Sequence, residues 1–438
     1  MHDTHGATLA SDTAALKAAH EEYLFPCLKS LYREPIALVE ANGVNVVDAE
    51  GETYLDFFAG ILTTSIGHCH PAVVERVRAQ VGRLGHTSTL YLTEQQIGVA
   101  RRLAEITPGR LKTCYFTNSG TEAVETAITL AQLYTGRQEI IALRLGYSGR
   151  SVLATNLTAH ASWRPVTSTI AGIKHARSPY LYRSPFDPAG DPAEQFAQEI
   201  EDVIQTTTSG KPAAFFAETI QGVGGYIVPP PGYFQRAAEI IRRYGGLFIC
   251  DEVQAGFGRT GDKWFGIEHW GVEPDIMVMA KGIANGFPVG ATIARPEIAA
   301  GWTAKAISTY GGNPVSMAAA EATLDVMRRE DTPARSALRG RQLRTGLEAL
   351  YARYEWIGEV RGMGLMQAME LVEDRQSKMP ATGKARALLE AAKAERLLLG
   401  IGGLHGHVIR LGPSMLVTEA EVADALDRLG RACRRISV

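Results

Sequence analysis

An apolar run, Ile276-Met277-Val278-Met279-Ala280, ends in Lys281, with Gly282 and Gly286 close behind. About thirty residues upstream, Leu247-Phe248-Ile249-Cys250 runs into Asp251 in the same way. Burying such runs while presenting one amine and one carboxylate at their ends is costly unless each charge is neutralised, paired or bonded. Two arrangements meet that constraint. One is a buried Lys281–Asp251 salt bridge, since purely structural ion pairs occur in cores. The other is a site that holds a charged, carbonyl-bearing molecule between the two strand ends.

Further upstream, Phe116-Thr117-Asn118 leads into Ser119-Gly120-Thr121-Glu122, which reads as a strand, a glycine turn and a helix start. Ser119, Gly120 and Thr121 there present N–H groups and hydroxyls where the helix dipole favours an anion, most usefully a phosphate. A plain N-cap is the competing reading. No GxxxxGK[ST] run occurs, so a nucleotide P-loop is not the explanation. After the next strand comes Tyr147-Ser148-Gly149-Arg150, where an aromatic beside a glycine offers a flat face to a ring or simply packs. Phosphate cradle, aromatic platform, strand-end carboxylate and strand-end amine are the set that pyridoxal 5′-phosphate (PLP) requires. The amine bonds the cofactor's carbonyl carbon, and the carboxylate keeps the pyridine nitrogen protonated so that the ring accepts electrons. The rival from another class is a non-catalytic binding protein in which Lys281 and Asp251 only pair.

The elements that must position these groups follow from the pattern. Thr113–Phe116, Glu139–Leu145, Ala213–Ile220, Leu247–Asp251 and Ile276–Ala280 are short apolar runs separated by helical segments such as Gly120–Tyr134. That alternation predicts a mostly parallel α/β sheet covered on both faces. Before it come a helix from residue 11 to about 31 and a small antiparallel meander over Pro35–Phe58. The stretch from about His160 to Gly190 has no clear periodicity and reads as a long surface or active-site excursion. After Asn313-Pro314, helical patterns at Val315–Arg329, Ala334–Tyr354, Lys384–Glu395 and Glu419–Arg434 enclose strand-like runs at Gly364–Glu370 and Val408–Leu411. The division expected is residues 1–62 and 315–438 forming a small α+β domain around a large domain of residues 63–314.

Composition narrows the class. The 438 residues are 45% hydrophobic and 21% charged, ordinary for a soluble globular protein, with a formal net charge of −2 that argues against general binding to nucleic acid or anionic membrane. The first residues lack a secretory pattern, and no apolar run approaches the ~20 residues of a spanning helix. Five scattered cysteines without a CxxC pair suit a reduced, cytoplasmic protein. Gly67-His68-Cys69-His70-Pro71 invites a metal site, but no second Cys/His cluster follows at zinc-like spacing, so no metal is expected.

With these motifs in place, the sequence resembles the class III aminotransferases of PLP fold type I over nearly its whole length. The resemblance is carried by Gly67–Pro71, Asn118–Ala123, Asp251–Gly261, Met279–Gly282, Thr309–Pro314 and Val360–Leu365. It implies that Lys281 bonds the cofactor and moves the proton, and that Asp251 pairs with the pyridine nitrogen. Val253 and Tyr147 would flank the ring, Gln254 would approach the phenolic oxygen, and Glu218 would lie close by. Gly120 and Thr121 would hold the phosphate, and Thr309 would reach the phosphate of a neighbouring subunit, which implies a homodimer with shared sites. Arg410 matches the arginine that clamps an α-carboxylate. In ornithine and 4-aminobutyrate aminotransferases a glutamate masks that arginine, whereas this sequence has Val223 at the position, implying an open clamp. Ser148 stands where a histidine is common, and Arg150 either binds a distal carboxylate or braces its loop. Several stretches look closest to the alanine–glyoxylate aminotransferase 2 and ethanolamine-phosphate phospho-lyase subgroup. The function expected is amino transfer from a small amino acid or β/ω-amino compound to pyruvate or glyoxylate, the alternative being a PLP-dependent phospho-lyase or decarboxylase.

Overall fold

The alternating runs from Thr113 onward form one seven-stranded sheet in a computed structural model that describes residues 12–167 and 169–437. Its strands are β1 (Thr113–Thr117), β2 (Ile140–Leu143), β3 (Ile173–Ala176), β4 (Ala214–Glu218), β5 (Leu247–Asp251), β6 (Ile276–Met279) and β7 (Gly290–Ala294), in spatial order β1-β7-β6-β5-β4-β2-β3. From β6 to β3 the neighbours are parallel, and β7 runs antiparallel to both β6 and β1.

Successive side chains of a strand face opposite sides, and two cores result. Ile140, Phe216, Ile249 and Val278 pack with the helix Gly120–Thr135. Ile141, Phe215, Phe248 and Met277 pack with Phe196 and Phe234 from the helices Pro192–Thr207 and Tyr233–Arg243. Strands buried on both faces carry continuous apolar runs, which is why they are readable in the sequence. The expected fold class, a mostly parallel sheet covered by helices, is the one found.

Two strands depart from the sequence reading. β3 lies inside the stretch read as an irregular excursion; it is an edge strand of four residues, Ile-Lys-His-Ala, with only its ends buried, so it lacks an apolar run. β7 is the antiparallel exception, built from Gly-Ala-Thr-Ile-Ala, whose small residues carry little strand signal.

Both chain ends meet beside this sheet. Leu38–Asn42, Asn45–Asp48 and Thr53–Asp56 form the expected meander, and Leu397–Leu398 adds to it in parallel with Thr53–Asp56. A second sheet combines Ile357–Met363, Met366–Leu371, Val408–Leu411 and Gly400–Gly402, all antiparallel. The N-terminal helix is shorter than its periodicity suggests, Thr13–Tyr23, and the leading residues read for a secretory pattern lie outside the described residues. His68 bonds Asp56 at 2.8 Å and His70 caps the helix Pro71–Val81, so each histidine of the Gly-His-Cys-His-Pro run has a structural partner. Among the described residues, no helix is long and apolar enough to cross a membrane.

Because β4, β5 and β6 are parallel, their last residues emerge at one edge, with Glu218 in register with Asp251 and Asp251 with Val278. β7 brings the helix start at Ser119 to the same edge. There Gly290 leaves no room, since a Cβ would overlap the Ser119 carbonyl and the Thr117 hydroxyl. Gly290→Ala is therefore expected to cost about 1–3 kcal/mol, the usual range for overpacking. Its denaturation midpoint should fall with the slope unchanged; a wild-type midpoint would show that the Ser119 turn yields freely.

Candidate active site

Glu218, Asp251 and Lys281 open into a cavity of about 260 Å³ between the strand ends and the start of the helix Gly120–Thr135. Lys281 begins a tight turn, Lys281–Ala284, with a left-handed backbone (φ +49°) that costs a non-glycine residue roughly 1–2 kcal/mol. Strain of this kind collects at functional sites. Among the described residues the amine forms no hydrogen bond or ion pair, with Asp251 or any other group. The salt-bridge arrangement is thus not the one adopted.

The charges respond to their burial. It pushes the Lys281 amine down to about 8, against the opposing pull of Asp251 and Glu218. Burial likewise raises Asp251, with the Val253 N–H and Lys281 working the other way. Glu218 is raised by burial and by the charge of Asp251, and is held back by two N–H donors.

Those donors define what Glu218 does for the site. One oxygen accepts from the Tyr147 N–H at 2.9 Å and the other from the Gly222 N–H at 2.8 Å. The carboxylate therefore pins two loops, one at Tyr147 and the other at Gly222. Tyr147 meets Trp163 edge-on, with ring centroids 5.6 Å apart. Asp251 is less occupied, its Oδ1 accepting from the Val253 N–H at 2.9 Å. The next residue, Glu252, shows the contrast. It is fully buried and accepts from the Thr219 hydroxyl, the Gly266 N–H and the Ile267 N–H at 2.6, 3.0 and 2.8 Å. Glu252 braces the scaffold, while Asp251 keeps acceptor capacity for a ligand.

At the helix start, Ser119 is an N-cap, its hydroxyl engaged with the Glu122 N–H and carboxylate. Thr121 Oγ1 accepts from the N–H groups of Arg150 and Ser151, both at 3.1 Å. Both hydroxyls are therefore committed to local structure, and the anion donors the turn offers are the backbone N–H groups of Gly120 and Thr121, which sit ahead of the first helical hydrogen bond. A Cβ on Gly120 would lie 3.4–3.6 Å from Ala280 and Val253, so glycine lets the helix start come close to both. Gln254 Oε1 is buried without a partner.

The cavity thus gathers ten of the residues singled out in the sequence: Ser119, Gly120, Thr121, Tyr147, Arg150, Glu218, Asp251, Val253, Gln254 and Lys281. Arg410 lies beside it rather than in its wall. Its Nε and Nη1 donate to the Ile401 and Gly222 carbonyls, both at 3.1 Å, and the guanidinium sits 5.0 Å from the Phe58 ring and 5.5 Å from the Tyr226 ring. Among the described residues no carboxylate pairs with it. Thr309 is exposed and does not line its own chain's cavity. Sequence reasoning missed Phe58, Tyr226 and the Gly222 carbonyl as the frame of Arg410. They come from distant segments, and no spacing in the sequence links them.

The donor set fits PLP. Two backbone N–H groups without helical partners would suit a phosphate, an under-used carboxylate would suit a ring nitrogen, and an unpaired amine and an unpartnered amide complete the wall. A site of this kind at the carboxyl ends of a mostly parallel sheet defines a PLP-dependent enzyme of fold type I. Comparison with known proteins then gives the family: the chain belongs to the class-III aminotransferases, whose family model matches residues 30–433. It is similar to the mitochondrial alanine–glyoxylate aminotransferase 2 homolog 2 of Arabidopsis thaliana, 42% identical over 411 residues covering 93% of this chain and 85% of the relative. It is also similar to an acetylornithine aminotransferase of Methanopyrus kandleri, 38% identical over 92% of this chain and 95% of the relative. Among solved structures, an (S)-enantioselective omega-transaminase from Thermomicrobium roseum superposes with a TM-score of 0.89 at 34% identity, covering 97% of this chain and 99% of that one. The chain is a PLP-dependent transaminase.

The depressed Lys281 amine has a direct consequence. Only the neutral amine bonds a carbonyl, so the rate at which the cofactor-free chain captures PLP covalently should rise with pH through a midpoint near 8. A midpoint near the ordinary lysine value of ~10.4 would show that the amine is not desolvated.

Proposed function

We propose that this transaminase moves an amino group from a small amino acid or β/ω-amino compound to pyruvate or glyoxylate, with Arg410 as a permanently open carboxylate clamp. The observation that carries the reading is Arg410 itself, a buried guanidinium held by two carbonyls and two aromatic rings with no carboxylate partner among the described residues. A buried charge so placed is costly until an anion pairs with it, and a planar guanidinium suits a carboxylate. Val223, buried at the position where a masking glutamate would stand, offers no competing charge. Relatives named as alanine–glyoxylate aminotransferases support the acceptor pair.

PLP, when bound, supplies the electron sink that lets the donor's Cα–H bond break. Asp251 holds the proton on the pyridine nitrogen, and the Gly120 and Thr121 N–H groups take the phosphate. Val253 and Tyr147 would confine the ring, and the side-chain amide of Gln254, whose Oε1 is unpartnered, would meet its phenolic oxygen. Glu218 acts at one remove by fixing Tyr147 and the Gly222 loop. Lys281 Nζ would hold the cofactor through its carbonyl carbon, and is the group placed to take the proton from the donor Cα. An amine near 8 is poised for both acid and base work around neutral pH. Thr309 serves a second copy of the chain, giving a homodimer with shared sites in the cytoplasm. In support, Leu90, Tyr91, Leu92, Ile307 and Tyr310 leave apolar surface exposed around the Thr89–Ser308 hydrogen bond.

Donor screening against pyruvate, glyoxylate and 2-oxoglutarate tests this reading. Arg410→Ala should raise KM for α-carboxylate donors about 10- to 100-fold, the worth of a charge-assisted pair, and spare amines that lack the carboxylate. Arg150→Ala run alongside should impair only donors with a distal carboxylate if Arg150 is a second clamp, and all donors if it braces its loop. Release of ammonia and phosphate without a keto acid would instead support the phospho-lyase alternative. An Arg410→Ala enzyme with unchanged KM would remove the clamp.

A further inference from the structure

We propose that a second cavity, displaced along the same sheet edge, binds a small anion bearing a carboxylate or phosphate group. The cavity holds about 240 Å³ and lies where Arg144 and Arg177 leave the carboxyl ends of β2 and β3, beside Gly224 in the loop that follows β4. Its other side is formed by Leu404, His405 and His407, from the connection between Gly400–Gly402 and Val408–Leu411. In open α/β sheets the crevice outside the strand ends is where ligands collect. Here the C-terminal sheet closes that crevice beyond the cofactor site.

The polar part of the wall is basic: three arginines (Arg144, Arg177, Arg183) and two histidines (His405, His407) line it, and among the described residues no carboxylate does. Two acids behind the wall offset part of its charge. Glu370, fully buried, is shared by Arg183 and Arg361, both at 2.7 Å, by His407 Nε2 at 3.2 Å and by the Tyr180 hydroxyl. Glu199 lies 3.6 Å from Arg177. One donor is left over. The Arg144 side chain has no hydrogen bond or ion pair among the described residues, while His407, only 3% exposed, has an unpartnered Nδ1 whose role as donor or acceptor follows its tautomer. A cleft of one sign with low-dielectric walls concentrates counter-ions, and forked guanidinium groups suit carboxylate and phosphate alike. Leu145, Pro185 and Phe196 give the same cavity an apolar side fit for a short carbon chain.

This cavity shares a loop with the cofactor site. Gln221 donates to the Arg144 carbonyl at 2.8 Å and accepts from the Ser178 hydroxyl, so it fastens the loop to the second cavity. The next residue, Gly222, donates to Glu218 and accepts from Arg410. An anion that fixes Arg144 and Ser178 therefore stiffens the segment that frames Arg410. This link rests on the reading of Arg410 as the carboxylate clamp, whereas binding of the anion does not.

Calorimetric titration of the holoenzyme with inorganic phosphate and, separately, with succinate tests the site, the cofactor keeping the phosphate cradle filled. At least one probe should bind saturably, once per chain, and the one that binds identifies the preferred group. Affinity should fall tenfold or more in Arg144→Ala/Arg177→Ala and persist in Arg410→Ala. Arg144→Gln alone, at an exposed side chain without partners, should keep the fold and still weaken binding. Absence of saturable binding, equal affinity in the arginine variants, or loss only in Arg410→Ala would overturn the proposal. At fixed ionic strength, saturating anion should shift KM for a carboxylate donor severalfold. An unchanged KM beside intact binding would overturn the link to Arg410.

Discussion

A half-buried amine and two buried carboxylates stand at the ends of adjacent parallel strands without the amine pairing with either acid, and the rest of the structure answers to that constraint. Taking such groups out of water is expensive, and direct contact would be the simplest relief. The protein forgoes it. Glu218 is satisfied by two backbone donors from two loops, Asp251 by one, and Lys281 by none, so unmet demand rises across the cavity toward the amine. That gradient is what a cofactor with a phosphate, a ring nitrogen and a carbonyl relieves in a single binding event.

Keeping those groups apart falls largely to neighbouring residues that frame the cavity. Glu252 ties β5 to Thr219 at the end of β4 and to the backbone at Gly266 and Ile267. Gly290 lets the antiparallel strand pass against the Ser119 turn, and Gly120 lets the helix start approach Val253 and Ala280. Arg259, fully buried, joins the Leu365 and Pro413 carbonyls and so ties the sheet's loops to the C-terminal segments that deliver Arg410. Strain at Lys281 is the local cost of turning the amine into the cavity.

How much of this the sequence discloses depends on how local the cause is. Strands buried on both faces have to be apolar throughout, so a charged residue at the end of one stands out; Asp251 and Lys281 were visible for that reason. The glycine turn at Ser119–Thr121 was equally plain, although the hydroxyls of Ser119 and Thr121 prove to serve the cap and the Gly149–Ser151 turn. The edge strand β3 escaped notice because half-exposed positions tolerate Lys174 and His175. The frame of Arg410 was invisible for a different reason. Its partners at Phe58, Gly222, Tyr226 and Ile401 are brought together only when both chain ends fold back onto the large sheet, and no spacing in the sequence encodes that meeting. The second cavity is of the same kind, assembled from the exits of three strands and one C-terminal turn.

The central claim is that the unpaired Lys281 amine is the point at which PLP is bonded. Borohydride reduction of the holoenzyme, followed by proteolysis and mass spectrometry of the peptides, addresses it directly. The expected result is a single phosphopyridoxyl group on the peptide that carries Lys281. A group fixed to any other lysine, or none at all on a protein saturated with PLP, would contradict it.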